Sequence, residues 1–592
     1  MNPAHTYQQK TQQLAQAIKQ QEKQLRLLSF VRLACFLLAV GAGYEYFTTD
    51  FSTPWLLVIF GFIVVFVYSL VRYQRTQDKL LLARTLLDLN EKELALATTN
   101  TAGFPDGSAF IDDQHDFAGD LDVFGPSSLF QHINRTGTLM GERALAMALK
   151  HPVQQAAAVH ELQEAVKELA PQLDLRQLYT AQAIMAQEKP EDVRGLQRWF
   201  DMPSQFVGKR WLRVASLVLP VLMLAAIVYW AMSGNYFPVS LLLLVNAAML
   251  ATHVKKVNEM YIHLGSKERV LHKFANMLEQ VREAPWQSAL LKQYKHTADE
   301  ADVALRQLAR TGNLLDQRLN VLIAVVVNLL FLYDIHCAFA LENWKERYKL
   351  RMPSWLEVIA RLESLNSFAT FAYNHPSYIY PHVEDGAATV SGTAIGHPLI
   401  PASECVTNEV KIGEGAQFLI ITGSNMSGKS TFLRSVGVNL LLAMQGTPVC
   451  AGSFTCTPAR IMTSMRIKDS IARHTSYFQA ELLRLQHIIQ ILKTGERAFI
   501  ILDEILKGTN SEDKLTGSLR LIKHFLSYNC LGMIATHDLE LGALEQQHPG
   551  FIRNFCFESS LENGDLHFDY RMREGVARNK NATFLMQQME II

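Results

Sequence analysis

The 592-residue sequence has no net charge: 56 lysines and arginines stand against 56 aspartates and glutamates. That balance excludes a protein that coats nucleic acid by bulk basicity, while leaving room for a local basic patch. Cysteine is scarce. Cys35, Cys337, Cys405, Cys450, Cys456, Cys530 and Cys556 form no CxxC pair and are odd in number, so they read as reduced, mostly buried thiols of a cytosolic environment. Internal repeats are lacking, and a cleavable signal peptide is not expected, because residues 1–26 are polar, glutamine-rich and too long for its basic segment. What is abundant is apolar. At 49% hydrophobic residues, disorder as the dominant state is excluded. The length predicts roughly three to five domains. A mean hydropathy of +0.05 in a chain with 19% charged residues predicts that the apolar side chains are concentrated somewhere.

Two hairpins of apolar segments hold them. The first runs over 33–47, breaks at the polar stretch 48–54 and resumes over 55–71; the second runs over 214–232, turns at 233–238 and continues over 239–252. Each half is long enough, or nearly so, to cross a bilayer core as a helix. Lys10, Lys19, Lys23, Arg26 and Arg32 precede the first hairpin and Arg72, Arg75 and Lys79 follow it, whereas its loop carries Glu45 and Asp50. Lys209, Arg210 and Arg213 precede the second, Lys255 and Lys256 follow, and its turn is uncharged. By the positive-inside rule both hairpins keep their ends, and the remaining domains, in the cytoplasm. This predicts a multi-pass protein of the cytoplasmic membrane with the lipid bilayer as a partner. A fifth apolar run, 321–333, is short and ends at Asp334 and His336, which suits a buried helix better than a span.

Leucines at helical spacing predict that a helix continues out of the first hairpin over 74–100, followed by a polar, Gly- and Pro-containing linker over 98–116. Helical patterns then fill 120–188, with a break near His151 and Pro152, and return over 255–350 and 353–373. After Pro376 short apolar runs bounded by glycine alternate with helical segments, the pattern of an α/β domain.

That domain carries the chemistry. A strand over 418–422 leads into Gly423-Ser424-Asn425-Met426-Ser427-Gly428-Lys429-Ser430-Thr431 and a helix over 432–444. This is the phosphate-binding pattern G-x-x-x-x-G-K-[ST] in its strand–loop–helix setting. Gly423 and Gly428 let backbone amides close around phosphate oxygens, aided by the positive end of the helix. Lys429 is expected to reach the β- and γ-phosphates and Ser430 to ligate Mg²⁺. A second strand, 498–502, ends in Asp503-Glu504, which places carboxylates at the carboxyl end of a buried parallel strand. Asp503 suits the metal, and Glu504 suits polarising the water that attacks the γ-phosphate. A third strand, 531–536, ends in His537, a candidate contact for the γ-phosphate.

These three motifs in this order resemble the ATPase domain of the MutS family, a branch of the ABC-type ATPases. The loop around Asn425-Met426 is close to the family's wording, with Ser424 where bacterial members have proline, and Asp503-Glu504-Ile505-Leu506-Lys507-Gly508-Thr509-Asn510-Ser511 resembles its acidic strand end and following loop. Ser476-Tyr477-Phe478-Gln479-Ala480-Glu481 resembles the family's S-x-F-x-x-E segment, and Gly396-His397-Pro398-Leu399-Ile400 its lead-in. The agreement is specific over 396–582 and weaker upstream. There, Asn134-Arg135-Thr136-Gly137-Thr138 with Gly141-Glu142-Arg143-Ala144-Leu145 resembles the opening of the helical core, and 355–380 its return to the ATPase. The resemblance implies ATP and Mg²⁺ as cofactors, a helical lever that relays nucleotide state, and a homodimer through the ATPase domains in which Ser476 reaches the nucleotide of a second subunit.

Three departures accompany the resemblance. Residues 1–118 leave no room for a mismatch-recognition domain and lack its Phe-x-Glu wedge; the second hairpin lies where the family inserts its DNA clamp; and neither a dimerisation appendix nor a nuclease domain is expected before Ile592. Residues 401–592 hold 19 basic and 19 acidic side chains, so DNA is a partner that the family implies and the charge balance does not support. Cys405 falls near the family's adenine-stacking position. An ABC transporter is the competing expectation, but it would carry an LSGGQ-like signature before the acidic strand, and none is present. The expected fold is therefore an α/β P-loop ABC-type ATPase on an all-α MutS-like core, with two transmembrane helical hairpins. Its expected units are 1–80 (helix and hairpin), 81–118 (helix and linker), 119–210 (helical core), 211–254 (second hairpin), 255–385 (core and lever) and 386–592 (ATPase).

Overall fold

The computed structural model describes residues 2–48, 53–100, 103–264, 267–316, 321–466, 477–562 and 565–578. Two helices, Pro3–Thr48 and Thr53–Thr99, pair along their length. At 1.5 Å per residue, helices of 46 and 47 residues each extend about 70 Å, more than twice the roughly 30 Å of a bilayer core. Their outer halves are apolar and exposed, Phe30, Leu37, Phe60 and Tyr68 among them. Their inner halves are polar and dock on the helical core through Lys10–Asp174 and the fully buried Tyr7, while Arg84–Glu22 (2.6 Å) ties the two helices together.

The second apolar pair forms as Arg210–Ser233 and Phe237–Leu264, and it too exposes its side chains. Among the described residues, four helices are thus long and apolar enough to cross a membrane, or five if the bent pair Ala324–Phe331 and Tyr333–Tyr348 counts as one span. The run over 321–333 departs from expectation. It forms a helix, Val321–Phe331, but Val325 and Val326 are more than half exposed, and the chain bends by 79° at Leu332 before the next helix, Tyr333–Tyr348. Its short length disfavoured a full span, yet it lies against the second apolar pair and not inside the core.

The core is built around the helix Met352–Asn374, most of whose side chains are buried. Near its middle Glu363, 1% exposed, accepts from the amides of Gly137 (2.6 Å) and Thr138 (3.2 Å) and from the Thr138 hydroxyl. Thr138 in turn caps the helix Leu139–Lys150, accepting from Gly141 N at 2.9 Å. The helical break near His151 is present, and the next helices are Ala156–Leu169 and Leu173–Ala186.

The end of the polar stretch read as a linker, with the residues just after it, is strapped to the α/β domain. Asp116 pairs with Arg460 (2.9 Å) and His487 (3.0 Å). Asp120 accepts from the Thr463 hydroxyl (2.6 Å) and from the amides of Met465 and Arg466.

Among the described residues ten strands make two sheets: β1 His382–Val383, β2 Val390–Ile395, β3 Asn408–Ile412, β4 Phe418–Gly423, β5 Ser453–Cys456, β6 Arg460–Ser464, β7 Ala498–Asp503, β8 Cys530–Thr536, β9 Ile552–Glu562 and β10 Asp565–Glu574. The smaller sheet has the order β1-β5-β2-β3, the larger β10-β9-β4-β8-β7-β6. In the larger sheet β9, β4, β8, β7 and β6 are parallel, and β10 closes it as an antiparallel edge. β4, β7 and β8 are buried almost without interruption, as parallel strands covered on both faces must be.

Glu363 supplies a test of the core. Burial pushes its carboxyl up to about 7, against the lowering pull of the Thr138 and Gly137 hydrogen bonds. A folded-state value above the unfolded one means that the native state holds the extra proton, so this group's contribution to stability declines as pH rises from about 4.5 to 7. Glu363→Gln is expected to flatten that decline in denaturation curves recorded across the interval. An unchanged slope would show that Glu363 stays ionised.

Candidate nucleotide site

The site forms where three parallel strands end together. Thr422 of β4 lies opposite Thr536 of β8, and Asp503 of β7 lies opposite Ala535 of β8, so the P-loop, the acidic pair and His537 leave the sheet at one edge. The helix after the loop starts at Lys429, earlier than the expected 432, because Gly428 (φ +103°) turns the chain directly into it. Gly423 (φ +156°) permits close approach instead: a Cβ there would sit 2.7 Å from the Phe557 carbonyl and 2.9 Å from Ser427 Oγ.

A cavity of about 590 Å³ opens over this loop, lined by Asn425 through Phe432 on one side and by Leu399–Pro401 and Glu404–Val406 on the other. Lys429 Nζ donates to the carbonyls of Gly423 and Ser424, both at 2.8 Å, and burial holds its ammonium below the usual lysine range. Among the described residues Ser427 Oγ is buried with no hydrogen-bond partner, a polar atom inside a loop of amide donors. Ser430 Oγ donates to Asp503 Oδ2 at 2.5 Å. Burial pushes the Asp503 carboxyl up, and the neighbouring Glu504 charge adds to the effect.

Glu504 lines the cavity in a left-handed backbone conformation (φ +52°), with Leu506 (φ +59°) two residues on. Such strain persists only where the surroundings enforce it. Here the Glu504 amide donates to Ala535 O at 2.9 Å, and the Leu506 amide donates to Glu481. Glu481, 2% exposed, is therefore the anchor of the acidic turn, a role the motif pattern alone did not reveal. Burial raises the Glu504 carboxyl, but the Lys507 ammonium at 2.9 Å, with the His537 and Lys429 charges, outweighs it and holds the group below the usual range. His537 is half-exposed and lies behind Glu504 (3.6 Å) and beside Lys514 (3.3 Å), not on the cavity wall. Ser476 lies outside the described residues.

Tyr570 was not among the expected site residues, yet its ring lies against the P-loop and lines the cavity. A Cβ on Gly428 would be 3.1 Å from its Cδ1. It is set there by an irregularity in the β9–β10 pairing between Phe568 and Met572, pinned by Asn408, whose side chain bonds Tyr570 O (3.0 Å) and Met572 N (2.7 Å). Cys405 lines the opposite wall.

The donors fit a nucleoside triphosphate: amides, a lysine and a free hydroxyl for phosphates, and an aromatic face for a base. The Ser430–Asp503 pair fits Mg²⁺, which takes few protein ligands and completes its shell with phosphate and water oxygens.

Residues 419–588 match the family model described as MutS domain V. The chain is 31% identical over 242 residues to the DNA mismatch repair protein MutS of Thermotoga neapolitana, covering 40% of this chain and 30% of that protein. Over 236 residues it is 32% identical to the MutS of Myxococcus xanthus, covering 38% and 26%. It is also 29% identical over 259 residues to the human MutS protein homolog 4, covering 42% and 27%. The match thus spans under a third of the length of these relatives.

Tyr570→Ala is expected to weaken binding of an adenine nucleotide by about 1–3 kcal/mol, the range of a base–aromatic stack, while leaving inorganic triphosphate binding unchanged. Equal losses for both ligands in a titration would remove the ring from the base.

Proposed function

We propose that this chain, a member of the MutS family through its C-terminal domain V, is a membrane-anchored, Mg²⁺-dependent ATPase whose helical core relays nucleotide state to two membrane hairpins. The observation that carries the catalytic half is the convergence of Lys429, Ser430 and Glu504 on one cavity beyond the ends of β4 and β7, with Asp503 bonded to Ser430. Lys429 and the loop amides hold the phosphates; Ser430 and Asp503 hold the metal, which would neutralise charge on the transferring phosphoryl group. Glu504, kept ionised by Lys507, orients and polarises the attacking water. His537, touching Glu504 and not the cavity, positions that carboxylate. Met426, 76% exposed at the loop tip, leaves an apolar surface at the cavity mouth that a second subunit would cover, with Ser476 as the residue reaching across.

The membrane half rests on the four long apolar helices, whose most apolar stretches are only 6–17% buried. A contiguous exposed surface of that kind in water would drive aggregation, and hydrocarbon relieves it. With basic residues at the base of both hairpins, the ATPase faces the cytoplasm. The pair Arg210–Ser233 and Phe237–Leu264 would occupy the place of a DNA clamp.

Glu504→Gln is expected to retain ATP while losing at least about 10²-fold in phosphate release, the scale of a removed general base; rapid turnover in that variant would sink the assignment. In fractionation the protein should require detergent for release from membranes, and recovery in the soluble fraction without it would refute the spans.

A second reading follows from the names of the relatives, which are DNA mismatch repair proteins: a DNA-binding factor tethered at the membrane. Titration of the solubilised protein with homoduplex, mismatched and branched DNA at increasing salt separates the two. The balanced charge of the ATPase region predicts no salt-dependent binding, and a steep salt slope would favour DNA.

A further inference from the structure

Two of the seven thiols differ from the rest. Cys35, Cys337, Cys456, Cys530 and Cys556 are buried, whereas Cys405 and Cys450 are partly exposed. Those two sulfurs converge on one backbone point: a methyl group on Gly396 would lie 2.6 Å from Cys405 Sγ and 3.0 Å from Cys450 Sγ. They belong to different structures. Cys405 belongs to the wall of the nucleotide cavity formed by Leu399–Pro401 and Glu404–Val406, its amide donating to Pro401 O at 3.0 Å. Cys450 is fastened to the P-loop helix, because the fully buried Asn439 accepts from Cys450 N (2.7 Å) and donates to Gly396 O (2.8 Å). Gly396 N completes the frame by donating to Cys450 O at 2.9 Å.

The pair is also chemically unequal. The neighbouring Cys450 side chain holds the Cys405 thiol below the usual thiol range against the opposing effect of burial, while Cys450 itself is held well above. Of the two, Cys405, on the cavity wall, is the more readily ionised and suits a nucleophile, and Cys450 suits a resolving thiol.

We propose that Cys405 and Cys450 form a reversible disulfide on exposure to a hydroperoxide, a modification site in the cavity wall whose closure and nucleotide binding oppose one another. The Cys405 thiolate attacks the peroxide, the O–O bond breaks, and the leaving oxygen takes up a proton to depart as water or alcohol. Cys450 sulfur then displaces water from the resulting sulfenic acid, its own proton leaving with that oxygen. Two electrons pass from the two thiols to the peroxide, and a dithiol reductant reverses the change. In the reduced protein Cys405 faces the cavity, so a bound base shields it. In the oxidised protein its sulfur is drawn toward Cys450, and the wall is locked to the P-loop helix through Gly396 and Asn439. By linkage, whatever nucleotide does to the equilibrium of the pair, the pair does to nucleotide affinity.

This proposal rests on the cavity's being the nucleotide site, and the test separates the two. Full-length, detergent-solubilised protein is treated with graded hydrogen peroxide, with and without ATP, and thiols are mapped by differential alkylation and mass spectrometry. ATP binding is measured on the oxidised and reduced samples. The expected results are a linked Cys405–Cys450 peptide that dithiothreitol removes, slower linkage in ATP, and ATP affinity lowered about fivefold or more in the oxidised form. Cys450→Ser should bind ATP equally well before and after peroxide. Oxidation of Cys405 without a linked peptide overturns the site, and linkage without a change in affinity overturns the coupling. If the reduced protein binds no ATP at all, the nucleotide reading and the coupling fall together, and the linked peptide alone decides the disulfide.

Discussion

Arg135 and Glu93 are buried together, 4% exposed each, and the rest of the architecture hangs on that pair. Glu93 receives Arg135 Nε and, at 3.0 Å, a second guanidinium nitrogen, while the Phe104 ring covers the guanidinium at 3.7 Å. A buried charge left without its partner costs about 3–5 kcal/mol, so neither residue can move without the other. Glu93 also accepts from Asn374 (2.9 Å), and Asn374 accepts from the Tyr7 hydroxyl (2.7 Å). One carboxylate therefore joins four pieces: both helices of the first hairpin, the loop that opens the helical core, and the end of the Met352–Asn374 helix.

That helix connects the first apolar pair to the α/β domain. Its middle grips the core opening through Glu363, and its end leads into β1 and the smaller sheet. The strap of Asp116 and Asp120 supplies a second connection, reaching β6 and the turn that follows it. Between them the sheet ends hold the acidic turn in a strained conformation, with Glu481 as its brace. The cavity residues, the central helix and the apolar hairpins thus share rigid elements and hydrogen-bonded junctions in place of flexible tethers.

Much of this was legible in the sequence because its causes are local. A glycine-spaced loop needs its strand and helix beside it, and an apolar run with basic flanks declares itself by composition. The acidic pair could be placed for the same reason, since a buried parallel strand ends where its apolar residues end. What was illegible depends on contacts between distant residues. Tyr570 reaches the cavity only because the β9–β10 pairing shifts register and Asn408 pins it. Glu93 and Arg135 find each other across the hairpin-to-core junction, and nothing in either neighbourhood marks them as partners. The length of the run over 321–333 suits a buried helix, but length cannot distinguish a core helix from one lying against the second hairpin with Val325, Val326 and Phe331 exposed.

The central claim is that nucleotide state reaches the hairpins through the Met352–Asn374 helix. Hydrogen–deuterium exchange on the solubilised Glu504→Gln variant, with and without ATP and Mg²⁺, tests it most directly. The account predicts altered protection in the P-loop, along Met352–Asn374, and at the hairpin base around Tyr7 and Glu93. Changes confined to the nucleotide cavity, with the helix and hairpin base unaltered, would contradict it.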